Sequence, residues 1–142
     1  MRRSLVGGLV FVVLSALSAA ACDSGDTPTT PSTPSEPSPT ITDTFSGNLA
    51  VNGGVTFQFS TQAAGAVTAT LKSLGPDATV TIGLSLGTWN GTACAVVIAN
   101  DSILPGQSVL GAVSAAGNLC ARVYDAGKLA ALSTFEITVV HP

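Results

Sequence analysis

Thr79-Val80-Thr81-Ile82-Gly83-Leu84-Ser85-Leu86 is the stretch that decides the fold class. Val80, Ile82, Leu84 and Leu86 alternate with Thr79, Thr81, Gly83 and Ser85, so every second side chain is large and apolar. Successive side chains of a strand point to opposite faces, so this period buries one face and leaves the other polar. A helix would scatter the same residues around its circumference. Working outward, the texture recurs. Upstream, Val55, Phe57 and Phe59 alternate with Thr56 and Gln58, and Phe45, Leu49 and Val51 share one parity. Between these two runs Asn52-Gly53-Gly54 predicts a hairpin turn. Val67, Ala69 and Leu71 follow, closed by Gly75-Pro76-Asp77, a turn by composition.

Downstream, Trp89 falls in a predicted loop, Gly87-Thr88-Trp89-Asn90-Gly91. Ala93 to Ala99 is a strand too uniformly apolar to assign a face, and Asn100-Asp101 is expected to end it. Val109–Val113, Leu119–Asp125 and Thr134–Val140 complete eight candidate strands, with Ala126–Leu132 read as a loop because of Gly127. Short strands separated by Gly, Asn and Pro predict an all-β sandwich or barrel. No sustained helical period competes with it.

The chain has 142 residues, 46% hydrophobic and only 9% charged, with a net charge of −3 and an isoelectric point near 4.7. That length holds one domain and an appendage. An acidic chain lacks the basic stripe that a nucleic-acid partner requires. The low charge is partly explained at the front. Met1-Arg2-Arg3 precedes an uncharged apolar run, Ser4 to Ala21, which turns small at Ser18-Ala19-Ala20-Ala21 before Cys22. A basic start, an apolar centre and a small-residue end predict a secretory signal peptide over residues 1–21. A retained transmembrane helix is the alternative, since the run just reaches spanning length. Its Gly and Ser content, its small-residue end and the lack of a basic stop-transfer cluster weigh against that alternative. Leu17-Ser18-Ala19-Ala20-Ala21-Cys22 resembles the lipobox of bacterial lipoproteins, although Ala19 stands where the strongest examples have Leu. The resemblance implies acyl chains on Cys22, whose combined hydrophobic contact gives stable anchoring to a membrane outside the cytoplasm. Ordinary cleavage after Ala21, leaving Cys22 a free thiol, is the other outcome.

Residues 22–42 read as the lipidated Cys and a disordered linker. Pro28, Pro31, Pro34, Pro37 and Pro39 alternate with Ser and Thr, and no large apolar residue precedes Ile41. Such a stretch cannot bury enough surface to offset ordering, and its prolines favour an extended polyproline conformation reaching roughly 60 Å. The domain then spans residues 43–142. Cys94 and Cys120 lie in two different predicted strands, in a compartment that the signal would make oxidising. With Cys22 assigned to lipid they are expected to form a disulfide, closing a loop of about 27 residues and contributing ~3.5 kcal/mol by chain entropy. Two buried free thiols are the alternative.

Chemistry-bearing residues are sparse. His141 is the single His, and a penultimate residue is expected to be loosely held, a poor base for a nucleophilic site. No set of His, Cys and carboxylates has zinc-ligand spacing. Asp101 and Asp125 read as turn residues rather than Ca²⁺ ligands, as no dense Asp/Asn loop surrounds them. No catalytic residue, metal or cofactor is assigned. Candidates for a binding surface remain: Trp89, which either stacks on a sugar or covers the end of the core, and Tyr124 with Arg122, two residues apart on one strand face.

Gly117-Asn118-Leu119-Cys120-Ala121-Arg122-Val123-Tyr124-Asp125, followed by Phe135-Glu136-Ile137-Thr138-Val139, resembles the last two strands of bacterial pre-peptidase C-terminal (PPC) domains. Phe45-Ser46-Gly47-Asn48-Leu49 and Val55-Thr56-Phe57-Gln58-Phe59 resemble that family's first two, so the likeness runs in order through most of 43–142. It implies a jelly-roll-like antiparallel β-sandwich, non-catalytic, carried on secreted proteases and surface proteins and linked in some members to collagen, polysaccharide or Ca²⁺ binding. The family's central strand usually reads Asp-Leu-Asp-Leu-Tyr-Leu, and Thr79–Leu86 lacks those acidic and aromatic positions, so Ca²⁺ and collagen binding are not carried over. The expectation is a non-catalytic, lipid-anchored, extracytoplasmic module for binding, adhesion or envelope structure. A polysaccharide-binding module is the alternative, a small secreted hydrolase the more remote one. The expected partners are the membrane through Cys22 and a glycan or envelope protein, with no nucleic acid.

Overall fold

A computed structural model describes residues 39–142. The expected signal peptide, Cys22 and the Pro-rich stretch up to residue 38 lie outside the described residues. Among the described residues there are eight strands: β1 Ile41–Leu49, β2 Gly54–Thr61, β3 Gly65–Gly75, β4 Ile82–Trp89, β5 Cys94–Ile103, β6 Ser108–Val113, β7 Gly117–Tyr124 and β8 Ser133–His141. All pairings are antiparallel, in two four-stranded sheets ordered β1-β8-β3-β6 and β2-β7-β4-β5. The architecture is the all-β jelly-roll-like sandwich.

The alternation read from sequence is the burial pattern observed on β8, but not on β4. There both faces are buried from Ile82 to Gly87, since Tyr124 covers Gly83 and the Ala95–Val96 backbone covers Gly87 on the side expected to be open. On β8, Ser133, Phe135, Ile137, Val139 and His141 are buried while Thr134 and Glu136 are exposed. Leu49, Leu71, Ile82, Ile137, Val123 and Val139 are fully buried at the centre. Toward one end the sheets are joined through aromatic rings. Phe45 of β1 stacks on Phe57 of β2 at 4.8 Å, and Phe57 meets Phe135 of β8 edge-on at 6.0 Å.

The hairpin expected at Asn52-Gly53-Gly54 is not one. The turn forms, with Asn52 at φ 57° and the Gly53 N–H donating to Ala50 O at 2.9 Å. However, β1 pairs with β8 and β2 with β7, so the turn crosses between sheets. Turn chemistry is local, but the Phe45 and Phe57 faces are better buried facing one another than side by side. Among the described residues, β4 and β5 are the one pair of consecutive strands that hydrogen-bond to each other.

Three boundaries also differ. The first strand begins at Ile41, inside the stretch read as linker. Val80 stays out of β4 because Asp77 Oδ1 accepts from both the N–H and the hydroxyl of Thr79, at 2.9 and 2.6 Å, closing a turn there. Asn100-Asp101 does not end β5. The strand runs to Ile103, and its register against β4 shifts between the Ile82–Ile103 and Leu84–Asn100 pairs, a bulge that absorbs the turn-forming residues. Ala93–Ala99 had no assignable face because β5 is an edge strand, exposed along most of its length, with Val97 75% exposed.

Candidate functional site

The outer face of the β2-β7-β4-β5 sheet carries the unusual chemistry. Tyr124 on β7 has Gly54 of β2 on one side and Gly83 of β4 on the other in the ladder. Its ring lies across Gly83 so closely that a Cβ there would stand 2.3 Å from ring carbons. The phenol thereby reaches over β4, and its O–H donates to Asp101 Oδ1 in the β5 bulge. Partial burial, with the Asp101 hydrogen bond and negative charge, pushes the Tyr124 pKa up to about 12, against an opposing pull from Arg122. Arg122 folds the other way. Its guanidinium covers Gly54, with nitrogens 3.0 Å from where a Cβ would be, and sits 5.4 Å from the Tyr124 ring centroid. At that distance the cation is attracted to the ring's negative face. The two glycines flanking Tyr124 are what allow both side chains to lie flat.

A third glycine shapes the opposite end of the face. The Ala95–Val96 backbone passes directly over Gly87 of β4, and a Cβ there would stand 2.3 Å from Ala95 O. No side chain fits, so β5 can close onto the outside of β4. The tip of the β4–β5 hairpin is thereby brought near β7, and the Cys94–Cys120 disulfide fastens it with a Cα–Cα distance of 5.8 Å. Asn90 shapes the tip, its side-chain oxygen accepting from the N–H groups of Thr92 and Ala93 at 2.9 and 2.8 Å.

The consequence is an open cleft of about 380 Å³ lined by Gly54, Thr56, Trp89, Thr92, Ala93, Cys94 and Arg122. Trp89 is the last residue of β4, not part of a loop, and it is half-buried. It does not cap the core. The structure therefore brings the three candidate surface residues together: Trp89 and Arg122 share the cleft, and Tyr124 supports Arg122 from beside it. Sequence reasoning missed Thr56 and Thr92, which contribute the cleft's hydroxyls, and the glycines that shape it. Glycines at unusual density on polar faces of strands were the available signal.

The other singled-out residues are structural. Asp125 is buried; its Oδ1 accepts from the N–H groups of Lys128 and Leu129 at 2.7 and 3.1 Å, and its Oδ2 from that of Asn52 at 2.8 Å. Burial raises its pKa, but backbone hydrogen bonds from Asn52, Lys128, Leu129 and Gly127 outweigh this and hold the carboxyl below the ordinary aspartate value. It ties the β7–β8 connection to the β1–β2 turn. Contrary to expectation, His141 is not loosely held. It is 2% exposed, 5.0 Å from the Phe59 ring, with Nε2 3.1 Å from Asp43 Oδ2 and Nδ1 3.2 Å from Pro142 O. The Gln62 N–H also bonds to Pro142 O at 3.0 Å, so the end of β8 is pinned beneath β2. Each imidazole nitrogen faces one of these two oxygens, which fixes the ring in place beneath the surface.

Among the described residues no three His, Cys, Asp or Glu side chains gather as a metal site, and no helix is long and apolar enough to cross a membrane. A second opening of about 300 Å³ lies between β5 and β6, lined chiefly by Val67, Leu86, Val97, Ile98, Val113 and Leu119. It is apolar and holds no charged group to orient a ligand. The fold and cleft together define a disulfide-stapled β-sandwich with a concave outer face. No protein-family model matches the chain, and no curated protein is significantly similar to it.

Proposed function

We propose that the chain is a non-catalytic, lipid-anchored module displayed outside the cytoplasm, related to PPC domains, which binds a glycan in the Trp89–Arg122 cleft. One observation carries the binding part: the single indole of the chain stands in one open cleft with a guanidinium and two threonine hydroxyls, instead of covering the core. A flat apolar wall with a few polar groups beside it suits a sugar ring, whose CH face stacks while its hydroxyls hydrogen-bond. The lipobox-like Leu17–Cys22 and the Pro-rich spacer support display at a membrane surface. Against catalysis stands the sealed environment of His141 and the structural use of Asp125. Envelope structure without a ligand is the other form of this reading, and it leaves the cleft without a role.

Two measurements test the proposal. Titration with glycans is expected to change the emission of the single Trp, and Trp89→Ala is expected to abolish binding measured by calorimetry while leaving the thermal melt within a few degrees. Emission unmoved by any member of a broad glycan panel would remove the glycan reading. In cells, Cys22→Ala is expected to release the processed domain from the membrane fraction. Retention of uncleaved protein would support the transmembrane alternative instead.

A further inference from the structure

We infer that the glycan is acidic, its carboxylate held by Arg122, so that the cleft selects uronic-acid sugars over neutral ones; this rests on the glycan reading above. Arg122 is the one charged side chain lining the cleft. Among the described residues no carboxylate lies within ion-pair distance of it, the sole ion pair being that of His141 with Asp43. Yet the guanidinium is not left to wander. It rests over the bare backbone of Gly54 and beside the Tyr124 ring. Tyr124 in turn is pinned by Gly83 beneath it and Asp101 at its hydroxyl. A surface arginine normally loses rotamer freedom when it binds, and here much of that ordering is already done.

Asp101 does not neutralise this cation. Its Oδ1 is occupied by the Tyr124 hydroxyl, on the far side of the ring from Gly54. The guanidinium fork thus stays available for the planar, two-oxygen geometry of a carboxylate, which it recognises with two parallel N–H donors. The chain is acidic overall, with eight carboxylates against five Lys and Arg. Long-range attraction for a polyanion is therefore weak, and selectivity must come from this local contact. An acidic peptide offers the same carboxylate, but the Trp89 wall and the hydroxyls of Thr56 and Thr92 fit a sugar ring better than an extended chain.

The test uses the full processed protein and matched probes: an oligogalacturonate, the same oligomer with its carboxyls methyl-esterified, and a Glu-rich peptide. Binding is read by Trp emission and by calorimetry. The acid oligomer is expected to bind at least tenfold more tightly than its ester, and raising salt is expected to narrow that gap. Arg122→Gln is expected to weaken the acid form more than the ester, collapsing the at least tenfold acid-over-ester preference to near unity. Arg122→Lys should retain only part of that preference, and a preference unchanged in Arg122→Gln overturns the inference. Equal binding of acid and ester overturns the inference but leaves the glycan function standing. Binding of neither oligomer, together with neutral glycans that do bind, also overturns it. If no glycan binds at all, the proposed function fails first. Preferential binding of the Glu-rich peptide overturns the sugar half and transfers the cleft to acidic peptides. A melt of each variant within a few degrees of the parent shows that loss of binding is not loss of fold.

Discussion

Asp125→Ala should be among the most damaging substitutions of a polar residue in this domain, because the buried carboxylate ties two connections together. The carboxylate accepts backbone N–H bonds from Asn52, Lys128 and Leu129, at 2.8, 2.7 and 3.1 Å, and thereby holds two connections at one end of the sandwich. After truncation, water can reach the exposed Asn52 and Lys128 amides, so each costs about 1 kcal/mol at most. The Leu129 amide is buried, as is the Leu129 side chain at 7% exposure, and leaving it unpaired costs about 1–3 kcal/mol. The expected loss is about 1–5 kcal/mol, or roughly 5–25 °C in Tm for a domain of this size. Asp125→Asn keeps one acceptor oxygen and should lose about half as much. The sign with pH follows from the depressed pKa of Asp125. A carboxyl held lower in the folded than in the unfolded state stabilises above the unfolded value and loses that stabilisation as pH falls through the folded one. Parent protein should therefore lose stability below about pH 4 more steeply than Asp125→Asn. Urea unfolding followed by far-UV circular dichroism at pH 7 and pH 3 measures both. An unfolding free energy within about 0.5 kcal/mol of the parent for Asp125→Ala, or the same loss between pH 7 and pH 3 for parent and Asn variant, would refute the reasoning.

Three further outcomes are expected. Gly87→Ala places a Cβ on the Ala95 carbonyl, so β5 must lift from β4; overpacking of this kind costs about 1–3 kcal/mol, and free-thiol titration should show slower closure of Cys94 with Cys120. Replacing both Cys94 and Cys120 by Ser should cost about 3–3.5 kcal/mol by chain entropy and should also weaken ligand binding, because Cys94 is part of the cleft wall; unchanged glycan affinity would show that the hairpin tip needs no staple. The single tyrosine should ionise near pH 12 in absorbance titration, not near 10, and Asp101→Asn should bring it down. Since folding raises that pKa, the associated stability is present below pH 10 and lost between about 10 and 12.

Which side chains face the core was legible before any coordinates. The period of two in Thr79–Leu86, Val55–Phe59 and Thr134–Val140 carries that information in each segment alone, because the pleat assigns faces without reference to partners. The pairing of Cys94 with Cys120 was legible from an odd cysteine count. Strand partners were not. Asn52-Gly53 encodes a reversal of direction, but whether the returning strand pairs with its neighbour or crosses to the other sheet depends on β7 and β8, dozens of residues away. His141 misled for a related reason. Terminal position predicts mobility only when nothing packs on it, and here Asp43, Phe59 and Gln62 do.

The candidate site divides along the same line. Residue types determined by themselves that Trp89, Arg122 and Tyr124 were the groups worth watching, since the chain offers few others able to stack or carry charge. Arg122 and Tyr124 were also predictable neighbours, two apart on one strand. That Trp89 joins them, turned into a cleft and away from the core, was decided only in three dimensions. It requires a backbone passing over Gly87, a disulfide across β4 and bare glycines beside Tyr124. Sequence specifies faces because that information is local; it leaves concavity to the tertiary structure, where the missing side chains of one strand make room for the atoms of another.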